Sequence, residues 1–537
     1  MAADAPVSSL ENGEGPTFHV PAACVTTLRD PASFYAFLLA HVASASARVT
    51  LSALYLGTGS LEVALARALR DRALAAPALR VVALFDYSRA LRPVAGDAHA
   101  CSAALLRELF TDGRTGAVSG ALVARTTVGL MLMPQLRGLL GRLLPPRLRE
   151  GAGVWHAKAY VFDDHTVLLS GANLSTDYFT TRQDRYVVVS SASGAGGAVG
   201  AEGVARLAAY LHGCVGAVAA LPGAHALQPD GTVARLGGGI DGGGGGGGGA
   251  PPHFSQRLRT LLAAWSAGPA PLPPGALRRG LVAVRPRWQL GLLGVRADEL
   301  ALLALLRVQA PAGAETLHLA TGYFNLPAAL QKALIGRAPP AATSVHVLTA
   351  HPEANGFLGA RGIAGAIPLA YCCLEKRFYD AAAAAGRLMD DPEGAPGGAG
   401  VAIHEYRRPG WTFHAKGLWL LPRACEDRGG GGARFTTVVG SSNYGERGLE
   451  RDLELQVEFT SEDAELCARL VEERDALWGG PWVAAVGSHL VGTSPRYGAD
   501  RNVWDAAAVP ARALRWRLAW ANGVWIRAGA RALAKFF

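Results

Sequence analysis

Residues 155–163 read Trp155-His156-Ala157-Lys158-Ala159-Tyr160-Val161-Phe162-Asp163, and their reading decides the fold. His156 and Lys158 stand at i and i+2 inside an apolar run. In a strand those positions share a face. An imidazole that can attack or carry a proton then lies beside an ammonium that can neutralise phosphate oxygens. An altered copy follows far downstream as Phe413-His414-Ala415-Lys416-Gly417-Leu418-Trp419. After each copy comes a segment ending in asparagine, Leu169-Ser170-Gly171-Ala172-Asn173 and Val439-Gly440-Ser441-Ser442-Asn443. A carboxylate stands eleven residues beyond each asparagine, Asp184 in the first copy and Glu454 in the second. A lone HxK carries no weight; two copies with matched offsets carry a great deal.

The repetition extends outward from these segments. Residues 315–334 (ETLHLATGYFNLPAALQKAL) parallel residues 48–69 (RVTLSALYLGTGSLEVALARAL), and 343–350 parallel 80–87. Tyr55 precedes His156 by 101 residues, and Tyr323 precedes His414 by 91. A duplicated half-site explains this spacing, and it implies pseudo-twofold packing with both HxK segments at one central cleft. Apolar spacing predicts helices over 31–45, 61–74 and 203–220, and buried strands over 48–56 and 80–87. That alternation predicts an α/β fold in which each half is a mostly parallel mixed sheet flanked by helices.

The chain of 537 residues has room for two domains with sizeable cores. With 18% charged and 50% hydrophobic residues it is globular rather than disordered. The expected division is a disordered segment at 1–17, a first domain at 18–236, a glycine-rich linker at 237–252, a second domain at 253–508 and a basic amphipathic helix at 509–537. A net charge of +9 favours anionic partners such as a phospholipid surface or a phosphorylated substrate. Nucleic acid is disfavoured, because aromatic residues cluster with Arg in amphipathic stretches rather than forming a stacking platform. The seven cysteines show no CxxC spacing, and HExxH or His/Cys clusters are absent, so neither a metal nor a cofactor is expected.

Two stretches fit either a membrane-surface element or a helix packed on the core with a solvated basic face. Residues 126–149 interleave Leu and Met with Arg137, Arg142, Arg147 and Arg149, and read as an amphipathic helix. Residues 509–537 combine Arg512, Arg515, Arg517, Arg527, Arg531 and Lys535 with bulky apolar groups and no acid. Residues 1–16 hold Asp4, Glu11 and Glu14 and no Arg, which is not the composition of a mitochondrial presequence.

The paired segments resemble the phospholipase D superfamily, whose pattern is H-x-K-x4-D followed by G-[SA]-x-N. Residues 170–186 (SGANLSTDYFTTRQDRY) and 410–420 (GWTFHAKGLWL) look like the mitochondrial phosphatidylglycerophosphate synthases within it. The resemblance runs from about Phe18 to the C-terminus, interrupted by the glycine tract. It implies two phospholipase D-like domains sharing one cleft. The implied reaction is transfer of the phosphatidyl group from CDP-diacylglycerol to sn-glycerol 3-phosphate, with release of CMP. It further implies a phosphohistidine intermediate and a peripheral location on the mitochondrial inner membrane, as a step toward phosphatidylglycerol and cardiolipin. Alternatives are another superfamily transferase (phosphatidylserine or cardiolipin synthase), a phospholipase D, or an inactive membrane scaffold.

The catalytic set implied is His156, Lys158, Asp163, Asn173 and Asp184 from the first half, and His414, Lys416, Asn443 and Glu454 from the second. His156 is expected to be the nucleophile and His414 the acid and base. Asp184 and Glu454 would hold the imidazoles in one tautomer, and the asparagines would donate to phosphoryl oxygens. Leu421 replaces the pattern's Asp in the second copy, so the two halves are not equivalent. Glycerol 3-phosphate, a small dianion, needs further cations, and Arg182, Arg185, Arg447 and Arg451 flank the motifs.

Overall fold

The computed structural model describes residues 15–94, 100–137, 141, 143–144, 146–236, 252–266, 280–307, 315–337, 343–360, 365, 367–389, 400–422 and 433–486. Each half is built on six core strands. In the first half they are β1 (Arg48–Ser52), β2 (Arg80–Asp86), β3 (Thr126–Met131), β4 (Ala159–Phe162), β5 (Thr166–Ser170) and β6 (Tyr186–Ser190). In the second they are β7 (Glu315–Thr321), β8 (Thr343–Ala350), β9 (Gly400–Tyr406), β10 (Gly417–Pro422), β11 (Phe435–Gly440) and β12 (Glu454–Ser461). The spatial orders are β3-β2-β1-β4-β5-β6 and β9-β8-β7-β10-β11-β12, the same path twice.

The sheets are mixed. β1, β2 and β3 run parallel because helical crossovers join them, as do β7, β8 and β9. The HxK strand and the two after it are antiparallel in both halves. The β4–β5 connection is a tight turn with Asp163 at φ 50°, and a connection that short can only return the chain antiparallel. The Val- and Leu-rich runs of β4, β5 and β10 are buried at every position, as strands covered on both faces must be.

The duplication reaches the sheet edges. Val25–Leu28 pairs antiparallel with β6, and Leu281–Leu290 does so with β12. His225–Leu227 and Val483–Ala485 cap β3 and β9 in the same way. One difference crosses the expected domain boundary at residue 18. Phe18–Pro21 pairs with Leu281–Leu290, so the start of the first segment belongs to the second sheet. One apolar cluster draws Val161, Val167 and Leu169 from the first half and Trp288, Trp419 and Val457 from the second, so the halves share a core. Separate outer clusters lie under the helices Pro31–Ser44 and Ser60–Ala75, and under Ala297–Arg307 and Ala328–Arg337.

The amphipathic helix expected over 126–149 is not formed. Thr126–Met131 is β3, inserted beside β2, and a single helical turn follows at Pro134–Leu136. Leu130, Met131, Met133 and Leu136 are core residues. Arg137 lies over the Phe254 ring at 3.3 Å and donates to the carbonyls of Leu132 and Gly223. The Leu and Met residues of 130–136 therefore serve the interior and Arg137 is tied to the fold, whereas Leu143 is 73% exposed. Arg142, the linker and residues 509–537 lie outside the described residues.

Three histidines are stacked across the second sheet. His318 on β7 and His346 on β8 have ring centroids 4.6 Å apart, and His404 on β9 follows at 5.3 Å. The edge of Trp478 packs on His318 at 5.0 Å. Burial pushes the His346 pKa down to about 4 and that of His404 to about 3, and lowers His318 well below its usual value. Unfolded histidines take up protons below about pH 6.5 while these do not, so their contribution to stability is complete above that pH and lost as pH falls toward 4. Thermal unfolding between pH 7 and 4.5 is expected to show a falling Tm, and His346→Gln is expected to reduce that slope by about one proton taken up per chain. An unchanged slope in the variant would count against the stack as the source.

Candidate active site

Backbone pairing between the halves builds the site. The amide of His156 donates to the Leu453 carbonyl at 2.9 Å, and Leu453 donates back to Val154 at 3.0 Å. The amide of His414 donates to Gln183 at 2.8 Å, and Thr412 to Thr181 at 3.0 Å. Thr412–Phe413 and Arg182–Gln183 form a short parallel ribbon. Each HxK segment thus runs beside the acid-bearing segment of the opposite half.

The consequence is a crossed pair of His–carboxylate dyads. His156 Nδ1 is 2.9 Å from both carboxylate oxygens of Glu454, and His414 Nδ1 is 2.7 Å from Asp184 Oδ2. With the Nδ1 proton donated to a carboxylate, each Nε2 carries the reactive lone pair. Burial lowers both histidines well below their usual pKa, with further lowering by Lys158 on His156 and by Lys416 on His414. Both rings are therefore neutral at rest. Burial raises Asp184 to about 6 and Glu454 to about 7, opposed by the nearby lysines.

The lysines are held from behind. Lys158 Nζ donates to its own strand's His156 carbonyl at 2.8 Å, and Lys416 Nζ donates to the His414 carbonyl at 2.5 Å. Lys416 Nζ also lies 2.6 Å from His414 Nδ1. Burial pulls Lys158 down to about 7 and Lys416 to about 8, while Glu454 and Asp184 respectively oppose the shift. A neighbouring anion favours the charged form of both lysines. Gly171 permits the close approach of the halves: a Cβ there would stand 2.7 Å from Lys416 Cδ and 2.9 Å from Asp184 Oδ1.

Several expected site residues have other work. Asp163 sits at the far end of β4 from His156, and its carboxylate accepts from the amides of Ser46, Ala47 and Arg48 and from the Ser46 hydroxyl. It clamps the chain entering β1 and does not reach the reacting centre. In the second half Leu421, which replaces that Asp, is a buried core residue of β10. Arg185 is also removed from the substrate set. Its buried guanidinium pairs with Glu473 and donates to the Val438 carbonyl and the Thr437 hydroxyl, over the Trp419 ring at 3.8 Å. It joins the halves from a fully buried position.

The other candidates lie nearer the cleft. Arg182 donates to Thr412 at 3.0 Å and pairs with Asp177 at 2.9 Å, and its charge acts on His414. Arg447 pairs with Asp452 at 3.0 Å, donates to the Glu150 carbonyl, and acts on His156. Arg451 is half-buried, and its carbonyl accepts from Gln135. Asn173 Oδ1 accepts from the Leu54 amide and its Nδ2 donates to Tyr178, so it braces the site. Asn443 Oδ1 is buried without a hydrogen-bond partner, an uncommitted acceptor.

Sequence reasoning passed over Tyr178. Its hydroxyl lies 3.2 Å from His414 Nε2, with the ring edge-on to the imidazole at 5.0 Å. Tyr323 packs on the same imidazole from another side at 5.7 Å and stacks on Tyr371 at 5.5 Å. The available signal was a difference between the copies: five residues beyond the motif asparagine stands Tyr178 in the first and Gly448 in the second.

No family model matches the chain. Its fold is similar to the crystal structure of phosphatidylserine synthase from Haemophilus influenzae, with a TM-score of 0.65, 18% identity and 98% of each chain covered. In sequence it is 32% identical over 492 residues to the mitochondrial CDP-diacylglycerol–glycerol-3-phosphate 3-phosphatidyltransferase of Gallus gallus, covering 86% of this chain and 79% of that one. The Saccharomyces cerevisiae enzyme of the same name is 28% identical, with 87% of this chain and 84% of the yeast chain covered. With its duplicated sheets and crossed His–carboxylate dyads, the chain belongs to the CDP-diacylglycerol–glycerol-3-phosphate 3-phosphatidyltransferase family.

Proposed function

We propose that this protein transfers the phosphatidyl group of CDP-diacylglycerol to the 1-hydroxyl of sn-glycerol 3-phosphate, through a phosphohistidine on His156. The observation that carries the reading is the crossed dyads, two neutral imidazoles each held by a buried acid of the other half. In the first step His156 Nε2 bonds to the phosphatidyl phosphorus and the bond to CMP breaks. CMP departs as a phosphate, a weak base that needs little protonation, which suits a neutral His414. Glu454 stabilises the imidazolium formed, and Lys158 and Lys416 neutralise the non-bridging oxygens. In the second step the glycerol hydroxyl attacks phosphorus, its proton passes to His414 Nε2, and the phosphorus–nitrogen bond returns its electrons to His156. Asp184 steadies His414 as it becomes charged, and the proton then leaves to solvent.

Arg182 supports binding of the acceptor phosphate, being beside His414 with a guanidinium already near an exposed carboxylate. Asn443, with a free amide oxygen and a place in the motif, supports an orienting role. The animal relatives are named as mitochondrial enzymes, which supports a mitochondrial address. Among the described residues no helix is long and apolar enough to cross a membrane. The six basic residues of 509–537, with no acid among them, support peripheral association with an anionic inner membrane. The product would then feed phosphatidylglycerol and cardiolipin synthesis.

The test is incubation of the purified chain with CDP-diacylglycerol vesicles and labelled glycerol 3-phosphate in excess chelator. Labelled phosphatidylglycerophosphate and equimolar CMP are expected. Loss of activity in chelator, restored by a divalent ion added to detergent-solubilised substrate, would overturn the two-histidine route.

A further inference from the structure

Equivalent positions of the two half-sites carry opposite chemistry. Counted from the motif asparagines, Asp177 corresponds to Arg447, Tyr178 to Gly448 and Arg182 to Asp452. Both halves form the same ion pair with the signs exchanged, Asp177–Arg182 at 2.9 Å and Arg447–Asp452 at 3.0 Å. The second pair is locked, because Arg447 also donates to the Glu150 carbonyl and Asp452 accepts from the Val154 amide. The first also has supporting bonds, from Ser175 to Asp177 at 2.9 Å and from Arg182 to Thr412 at 3.0 Å, but its carboxylate is the more open of the two, 43% exposed at Asp177 against 7% at Asp452. The Arg182 guanidinium lies over the Tyr178 ring at 4.7 Å.

Proton accounting at Tyr178 gives this asymmetry a consequence. Asn173 Nδ2 donates to the Tyr178 oxygen. His414 Nδ1 lies 2.7 Å from Asp184 Oδ2 and 2.6 Å from Lys416 Nζ, and an ionised Asp184, which can only accept, selects the tautomer with the proton on Nδ1 and the lone pair on Nε2. The phenol's one proton is then directed at His414 Nε2, 3.2 Å away. Burial keeps Tyr178 a phenol by raising its pKa well above the ordinary value. The lone pair that would accept a proton from an attacking hydroxyl is therefore occupied in the resting protein. Gly448 supplies no such group to His156.

Resting on the transferase reading above, we infer that Tyr178 is a positioning residue that withholds His414 from water until an acceptor phosphate draws Arg182 away from Asp177 and the Tyr178 ring. The competing reaction is hydrolysis of the phosphohistidine. Water oxygen bonds to phosphorus, the phosphorus–nitrogen bond breaks back to His156, and the water proton goes to His414. The lipid product is phosphatidic acid instead of phosphatidylglycerophosphate. Selection of the phosphorylated alcohol over water then depends on a latch present in the first half-site alone.

Two measurements test this. Tyr178→Phe keeps the ring and removes the latch, and the ratio of phosphatidic acid to phosphatidylglycerophosphate is expected to rise roughly tenfold, the effect of one neutral hydrogen bond. A merely structural role would lower both products together. In the unaltered protein, n-propyl phosphate, which has the acceptor's phosphate but no hydroxyl, is expected to speed phosphatidic acid formation severalfold, and Arg182→Gln is expected to abolish that stimulation. An unchanged product ratio, or propyl phosphate that is inert or only inhibitory, overturns the inference. Absence of CMP release from the unaltered protein would instead overturn the transferase reading itself.

Discussion

His156→Ala is expected to form no covalent lipid adduct with CDP-diacylglycerol, whereas His414→Ala accumulates one. Both dyads are built alike, so the distinction rests on Nε2. At His414 that nitrogen faces the Tyr178 hydroxyl, while His156 has Glu454 on Nδ1 and Gly448 where a phenol would stand. The free lone pair belongs to His156. Removing the nucleophile is expected to cost on the order of 10⁶-fold in turnover, and removing the acid–base group about 10²–10⁴-fold. Because CMP leaves readily, the His414→Ala defect falls on the acceptor step, and phosphatidyl-enzyme builds up. The measurement is acid-labile, alkali-stable label from CDP-diacylglycerol carrying labelled phosphate, read on the denatured protein. Label on His156→Ala and none on His414→Ala would exchange the roles.

The second large effect is a crossed phenotype for the acids. Glu454→Gln is expected to slow the burst of CMP release by about 10⁴-fold, as loss of a triad carboxylate does. Asp184→Asn is expected to leave that burst fast and slow turnover by a similar factor, because it serves the histidine that handles the acceptor. Each acid thus damages the half-reaction assigned to the other half's histidine. Rapid-quench measurement of CMP against phosphatidylglycerophosphate separates the two steps. If Asp184→Asn slowed the burst and Glu454→Gln spared it, the acids would serve the histidines of their own halves in solution, contrary to the geometry.

Much of the site was legible because its residues repeat. His156, Lys158, Asp184 and their counterparts stand at offsets set by strand alternation and hairpin length, which are local properties. Local reasoning failed where residue type had more than one use. The Leu- and Met-rich stretch after Arg125 looked amphipathic but supplies β3, since burial between two layers asks for the same residues as a membrane face. Arg185 looked like an anion ligand and is an internal tie to Glu473. Asp163 belonged to the motif pattern, yet its carboxylate is used up by three backbone amides and the Ser46 hydroxyl.

By itself the sequence determined that the chain is a duplicated α/β protein with two HxK half-sites, because hydrophobic period and motif spacing are written along the chain. Only the tertiary structure decided that the acids serve crosswise, with His156 on Glu454 and His414 on Asp184. That choice depends on parallel bridges between segments more than 200 residues apart in sequence, Trp155 beside Leu453 and Thr412 beside Arg182. No local rule specifies such bridges. The same holds for Tyr178, whose hydroxyl meets a histidine 236 positions away. Contacts at that separation come from how two finished sheets pack, and the packing follows from their shared apolar core.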